Sequence, residues 1–152
     1  MSIFSAQVAW KRGDERFIDN RYSRGHLWSF DGGATVEASS SPDVVPLPYS
    51  VAENVDPEEA FVAALSSCHM LFFLSLAAKA GFVVDRYEDR AEGIMSSVDG
   101  VIQVTEVNLN PRVLFAGARP DRDAELDLHH RAHALCFLAN SVKSRITINP
   151  FD

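Results

Sequence analysis

Nineteen consecutive residues, Ala60 to Ala78, carry no formal charge. That run constrains the fold more than any other feature, because an uncharged helix of this length has to be covered on most of its surface. A bilayer is one cover, since a membrane-spanning helix needs about 20 apolar residues. Here, however, Ser66, Ser67, Cys68, His69 and Ser75 interrupt the run, alanines dilute it, and Glu58 and Glu59 replace a basic flank. The segment is therefore predicted as a central protein helix, buried on nearly all sides, and not as a membrane span. A single chain of 152 residues has little material to wrap such a helix, which predicts that a second copy covers part of it. The helix start is written in Asp56-Pro57-Glu58-Glu59: a capping aspartate, a proline at the first helical position and a glutamate at the capping-box position. Gly81 supplies the stop.

The rest of the chain reads mostly as strand. Phe4, Ala6, Val8 and Trp10 alternate with other residues and predict a strand with one buried face. Gly25–Phe30 and Ala34–Ala38 flank the hairpin signal Asp31-Gly32-Gly33. A proline- and serine-rich loop then runs to about Val55. After the helix, Val83–Ser97 and Val101–Phe115 predict two long strands joined at Asp99-Gly100, with Pro111 at an edge or bulge. A second helix begins at Pro120-Asp121 and runs to about Phe137, Asn140-Ser141 forms a turn, and Lys143–Ile148 is a last strand. The predicted order is βββ-α-ββ-α-β, an α+β fold in a single domain over residues 1–152.

Composition narrows the function classes. A formal charge of -7, from 14 basic and 21 acidic residues, opposes binding to nucleic acid or an anionic membrane. Met1–Ala6 has neither a basic nor an apolar signal region, and two cysteines are too few for a disulfide scaffold. Both features predict a cytoplasmic, reducing location. No phosphate-cradling glycine motif is present, so no nucleotide cofactor is expected.

Cys68, inside the uncharged helix, and Cys136, at the end of the second, are the chemical candidates. Taken alone, Cys68 among apolar neighbours reads as a small buried hydrophobe; a partner cysteine on a packable element changes that balance. A thiol attacks as thiolate and so needs positive charge nearby, yet no cation lies between Glu59 and Lys79. Arg21 and Arg24, beside a strand and among Tyr22, Trp28 and Phe30, are the candidates, and either is equally readable as a surface charge. Glu58 favours the helix dipole and has a second use as a bidentate holder of arginine. His129, His130 and His133 have the spacing for two metal ligands on one face but lack an acidic partner, so they read as solvent-facing or hydrogen-bonded groups. His69 points about 100° away from Cys68 around a helix and is a poor base for it.

The segment Asp56-Pro57-Glu58-Glu59-Ala60-Phe61-Val62-Ala63-Ala64-Leu65-Ser66-Ser67-Cys68 resembles the helix of the OsmC/Ohr family (osmotically inducible protein C and organic hydroperoxide resistance protein). Cys136-Phe137-Leu138-Ala139-Asn140-Ser141-Val142 is similar to the family's second-cysteine segment, and Tyr22-Ser23-Arg24-Gly25-His26 lies where the family has its active-site arginine. Phe137 after Cys136, and the Ser67 and His69 flanks of Cys68, depart from the family pattern. The resemblance implies an OsmC-like fold of antiparallel sheets around a long central helix, in an intertwined homodimer. It implies a thiol peroxidase of organic hydroperoxides with Cys68 peroxidatic, Cys136 resolving, Arg24 stabilising the thiolate, Glu58 orienting Arg24, and a lipoyl-type dithiol as reductant. No metal or other cofactor is implied.

One geometric demand stands apart from the resemblance. Glu58 and Cys68 are ten residues apart, about 15 Å along an unbroken helix, too far for one arginine to bridge. Either the helix breaks after Glu58, or Glu58 serves the Cys68 of a second copy. Competing readings are a cysteine acyl transferase or hydrolase using His133 or His26, a metal or ligand binder using Cys68, Cys136 and the His129–His133 cluster, and a redox sensor using the same two thiols.

Overall fold

The computed structural model describes residues 1–152. The chain forms two compact units, Met1–Ala60 and Phe61–Asp152. In the first, β1 (Ala6–Ala9), β2 (His26–Phe30) and β3 (Thr35–Ala38) form an antiparallel sheet in the order β1-β2-β3. The β2–β3 turn closes through the Gly33 N–H donating to Phe30 O, with Gly33 at φ 89° as the turn requires. The loop after β3 returns to it: Ser39 N–H donates to Val55 O, Val55 N–H to Glu37 O, and the Ser39 hydroxyl accepts from Val51 N–H. The buried face expected for the first strand is not buried in this chain; all of β1 is exposed, Val8 at 66 %.

Helix α1 (Pro57–Lys79) opens on a reciprocal capping box. The Asp56 carboxylate accepts from Glu59 N–H at 2.7 Å and the Glu59 carboxylate accepts from Asp56 N–H at 3.1 Å. The helix runs unbroken to Lys79 and ends with Gly81 at φ 85° and Phe82 N–H donating to Ala77 O. Its break after Glu58, one of the two options the sequence left open, does not occur.

Between the helices stand four strands, not two: β4 (Val83–Asp89), β5 (Glu92–Val98), β6 (Val101–Leu109) and β7 (Pro111–Ala116). The observed order is therefore βββ-α-ββββ-α-β. The two long strands of the sequence reading remain one antiparallel hairpin, turned at Asp99 and Gly100, both at positive φ. The hairpin is split midway. Pro111 has no N–H for a continuous ladder, and the Asp89 carboxylate accepts from Asn110 N–H at 2.6 Å while the Asn110 amide donates to Arg90 O. Beyond that split β4 pairs with β7, and β5 pairs with β6 in a second sheet. Strand β8 (Arg145–Ile148) joins β6 in parallel, an exception to the expected all-antiparallel pairing.

Helix α2 (Arg122–Leu135) is capped by Asp121, whose carboxylate accepts from Ala124 N–H, and Cys136 is its C-terminal cap. One stripe of α1 supplies the core. Phe73, Leu76 and Ala77 pack on Leu128 and Ala132 of α2, with Phe82, Val84, Tyr87, Val113 and Phe115 around them. Leu65 packs on Val107 and Leu109. The complementary stripe, Ala64, Ser67, Leu71, Ser75 and Ala78, is exposed, Leu71 at 60 %. Helix α1 is thus half covered, where burial on nearly all sides was expected of it.

Candidate active site

Both cysteines belong to the second unit and both are free thiols. Cys68 sits midway along α1 at the border between its buried and exposed stripes. Cys136 is 1 % exposed. The end of α2 fixes it closely: its N–H donates to Ala132 O at 2.9 Å, and its sulfur accepts from Ala139 N–H at 3.4 Å. Asn140 secures the turn that follows, its side-chain amide donating to Ala134 O and Cys136 O. The Cys136 thiol is pushed up to about 11, first by burial and then by the neighbouring Cys68 side chain, against a smaller opposing pull from the Ala139 N–H. Cys68 is thus the thiol that neighbours Cys136.

Against Cys68 lies an apolar pocket of about 530 Å³. Ala64, Leu71, Phe72, Phe137 and Leu138 wall it, with Ser67 and Ser75 as its polar lining. Phe72 and Phe137 meet edge to face at 5.0 Å and together build one wall. Of the apolar walls that the sequence suggests for a hydroperoxide site, Phe61, Leu65, Leu71 and Phe72, only Leu71 and Phe72 line this pocket; Leu65 is buried against Val107 and Leu109 with Phe61 packed beside it, and Phe137 and Leu138, and Asn140 behind them, were not singled out. The only available signal was their position within four residues of Cys136.

No charged side chain lines the pocket. Arg24 lies in the first unit, where its own loop holds it. Its guanidinium donates to Asn20 O at 2.9 Å, to Asn20 Oδ1 at 2.8 Å and to Tyr22 O, and stacks 3.7 Å over the Tyr22 ring. Arg21 is exposed. Glu58, in the first turn of α1, forms no ion pair with Arg24 or any other cation of the chain.

The histidines divide. His130 is exposed, whereas His69 and His129 are buried and hydrogen-bonded to each other, Nε2 to Nδ1, at 3.0 Å. Burial first, and then neighbouring histidines, lower His69 to about 4 and His129 to about 3. His69 therefore turns to α2 and not to Cys68, as its angular offset predicts. No group of three His, Cys, Asp or Glu side chains gathers to hold a metal.

Fold and site together define an α+β protein with a buried thiol and a pocket-facing thiol paired at a helix–helix junction. The model of the OsmC-like protein family matches residues 51–150, and the chain belongs to that family. An OsmC-like protein of unknown function from Vibrio cholerae is 52% identical, superposes with a TM-score of 0.97 and is covered over 100% of its length by 99% of this chain. The fold is shared with the organic hydroperoxide resistance proteins of Elizabethkingia anophelis (TM-score 0.72, 16% identity, 99% of this chain and 98% of that one) and Bacillus subtilis (TM-score 0.62, 18% identity, 98% of each). A comparison with functionally curated proteins finds no match.

Proposed function

We propose that the protein is a thiol-dependent peroxidase that reduces organic hydroperoxides. The observation that carries this reading is the meeting of Cys68 and Cys136 beside an apolar pocket open to Cys68. The Cys68 thiolate attacks the distal peroxide oxygen, the O–O bond breaks, and the alkoxide leaves as alcohol after taking a proton. Cys68 is now a sulfenic acid. Cys136, held as thiol by burial, condenses with it to a disulfide and releases water. An external dithiol of the lipoyl type then reduces the disulfide by exchange. The apolar walls favour a hydrocarbon-bearing peroxide over hydrogen peroxide.

The cation for Cys68 comes, in this reading, from a second copy. The unbroken α1 separates Glu58 from the Cys68 of its own chain by about 15 Å, so Glu58 and Arg24 of one copy serve the thiolate of the other. The exposed stripe of α1 and the exposed face of β1 supply apolar surface for such a homodimer. A count of two cysteines suits a cytoplasmic enzyme. Peroxide consumption with dihydrolipoate tests the proposal. Cys68→Ser should abolish turnover, and Cys136→Ser should consume about one equivalent and stop at a trappable sulfenic acid. Full turnover by Cys68→Ser would overturn it, and equal rates on hydrogen peroxide and a bulky organic peroxide would remove the substrate preference.

A further inference from the structure

We infer that the buried His69–His129 pair is a positioning device for the two cysteines. It sets the relation of α1 to α2 so that Cys136 stands where it can close a disulfide with Cys68. The inference rests on the thiol-pair reading above and assigns a role to residues that the proposed chemistry leaves unused.

The Nε2–Nδ1 bond at 3.0 Å is the one hydrogen bond that joins the two helices. The core contact between them is apolar, Phe73, Leu76 and Ala77 on Leu128 and Ala132, and His133 of α2, which also faces His69, makes no hydrogen bond to it. Such packing has no preferred direction and leaves freedom to slide and rotate. Disulfide geometry has little tolerance, with Cα–Cα separations of roughly 4.4–6.8 Å. The histidine bond sits where it can supply the missing direction. His69 is the next residue after Cys68 on α1, and His129 lies seven residues, about two turns, before Cys136 on α2. The Phe73 ring stacks on His129 at 4.2 Å, fixing that imidazole from the side.

The pair is not there for stability alone. Two neutral imidazoles have one N–H each. Whichever ring donates across the 3.0 Å bond, one outer nitrogen is left as a donor and the other as an acceptor. Those outer atoms, His69 Nδ1 and His129 Nε2, are both buried without a partner. Each unmet group is a desolvation cost that two aliphatic side chains would not carry. A polar pair kept at such a cost, between two helices that must hold reactive sulfurs in register, is a specificity element.

The test is the equilibrium of the protein's thiols with mixtures of reduced and oxidised dithiothreitol. It reads the effective concentration of Cys136 at Cys68 and requires no peroxide. The double variant His69→Leu/His129→Leu removes both partners and leaves no orphan nitrogen, and circular dichroism and thermal melting check that it folds. Its effective concentration should fall about ten-fold or more, since directional placement is worth at least that much in a unimolecular closure. His129→Asn, whose amide reaches the place of Nδ1, should restore the parent value within about three-fold. A merely structural role moves the melting temperature and leaves the thiol equilibrium of the folded protein alone. A folded double-leucine variant with the parent's equilibrium overturns the inference while leaving the peroxidase reading intact. A parent that forms no Cys68–Cys136 disulfide under any mixture overturns both. Should the double variant fail to fold, a His129→Asn protein with an equilibrium shifted as far as that of a folded single His69→Leu variant would overturn the inference instead.

Discussion

His69 and His129 are held neutral by burial, and this gives the protein a stability that depends on acidity in a definite direction. In the folded chain they take up protons at about 4 and about 3; in the unfolded chain they do so near the ordinary histidine value of 6.5. Between pH 6.5 and about 4 the unfolded state therefore holds more protons than the folded one, and stability rises with pH. Above pH 6.5 this contribution is level. The slope approaches about 1.4 kcal/mol per pH unit for each histidine. Urea midpoints measured from pH 7.5 down to 4.5 should fall more steeply in the parent than in His69→Leu/His129→Leu, and parallel profiles would show that the pair stays neutral in neither state or both. These residues also mark the limit of what one chain of letters reveals. The i,i+4 pair of His129 and His133 was visible as spacing, but the bonded partner of His129 lies 60 residues away on another helix. Cys68 and Cys136 stood out because they are the chain's two cysteines; a histidine on an apolar face has too many ordinary uses to be singled out.

At the scale of elements, local rules were readable and nonlocal pairing was not. The Asp56–Glu59 capping box, the Gly81 stop and the Asp99-Gly100 turn each depend on a few adjacent residues, and each stands where the sequence puts it. The parallel alliance of β8 with β6 joins residues about 40 positions apart and has no local signature. The split of the long hairpin was half visible, in Pro111, but its other half is the Asp89 carboxylate reaching Asn110 and the Ser66 hydroxyl of α1. Gly93 is a third such case. It lies within β5 facing Val62 of α1, and a methyl group added there would come 2.6 Å from Val62 Cγ2. Valine has one strongly preferred rotamer in a helix and cannot swing away, so the helix and sheet must part. Gly93→Ala should cost about 1–3 kcal/mol, the usual penalty of overpacking, although alanine at an exposed strand glycine is ordinarily favourable. Val62→Ala in the same chain should recover most of that loss. Chemical denaturation of the two variants checks both outcomes, and an undiminished midpoint for Gly93→Ala would show that α1 and β5 are not in tight register.

For the whole molecule the governing fact is uncovered apolar surface. Leu71 on α1 is 60 % exposed, Val8 on β1 66 % and Phe137 beside the pocket 73 %. Scattered apolar residues are ordinary on a protein surface; the continuous exposed stripe of Ala64, Ser67, Leu71, Ser75 and Ala78 is the surface that the proposed homodimer would cover. In the proposed chemistry Cys68 reacts as a thiolate, and a pocket without a charged wall leaves the cation to come from elsewhere. If a second copy supplies the guanidinium, two dead variants should rescue each other. Cys68→Ser lacks the sulfur but keeps Arg24; Arg24→Ala lacks the cation but keeps Cys68. In a mixed dimer, the Arg24→Ala copy contributes its intact Cys68 to a site completed by the Arg24 of its partner. Co-expression with two affinity tags isolates that heterodimer, which should show about half the parent's peroxidase activity, one working site of two, while each homodimer shows next to none. If Arg24 instead served the Cys68 of its own chain, the heterodimer would be as inactive as its parents, and the shared-site reading would fall even though the protein remained a dimer.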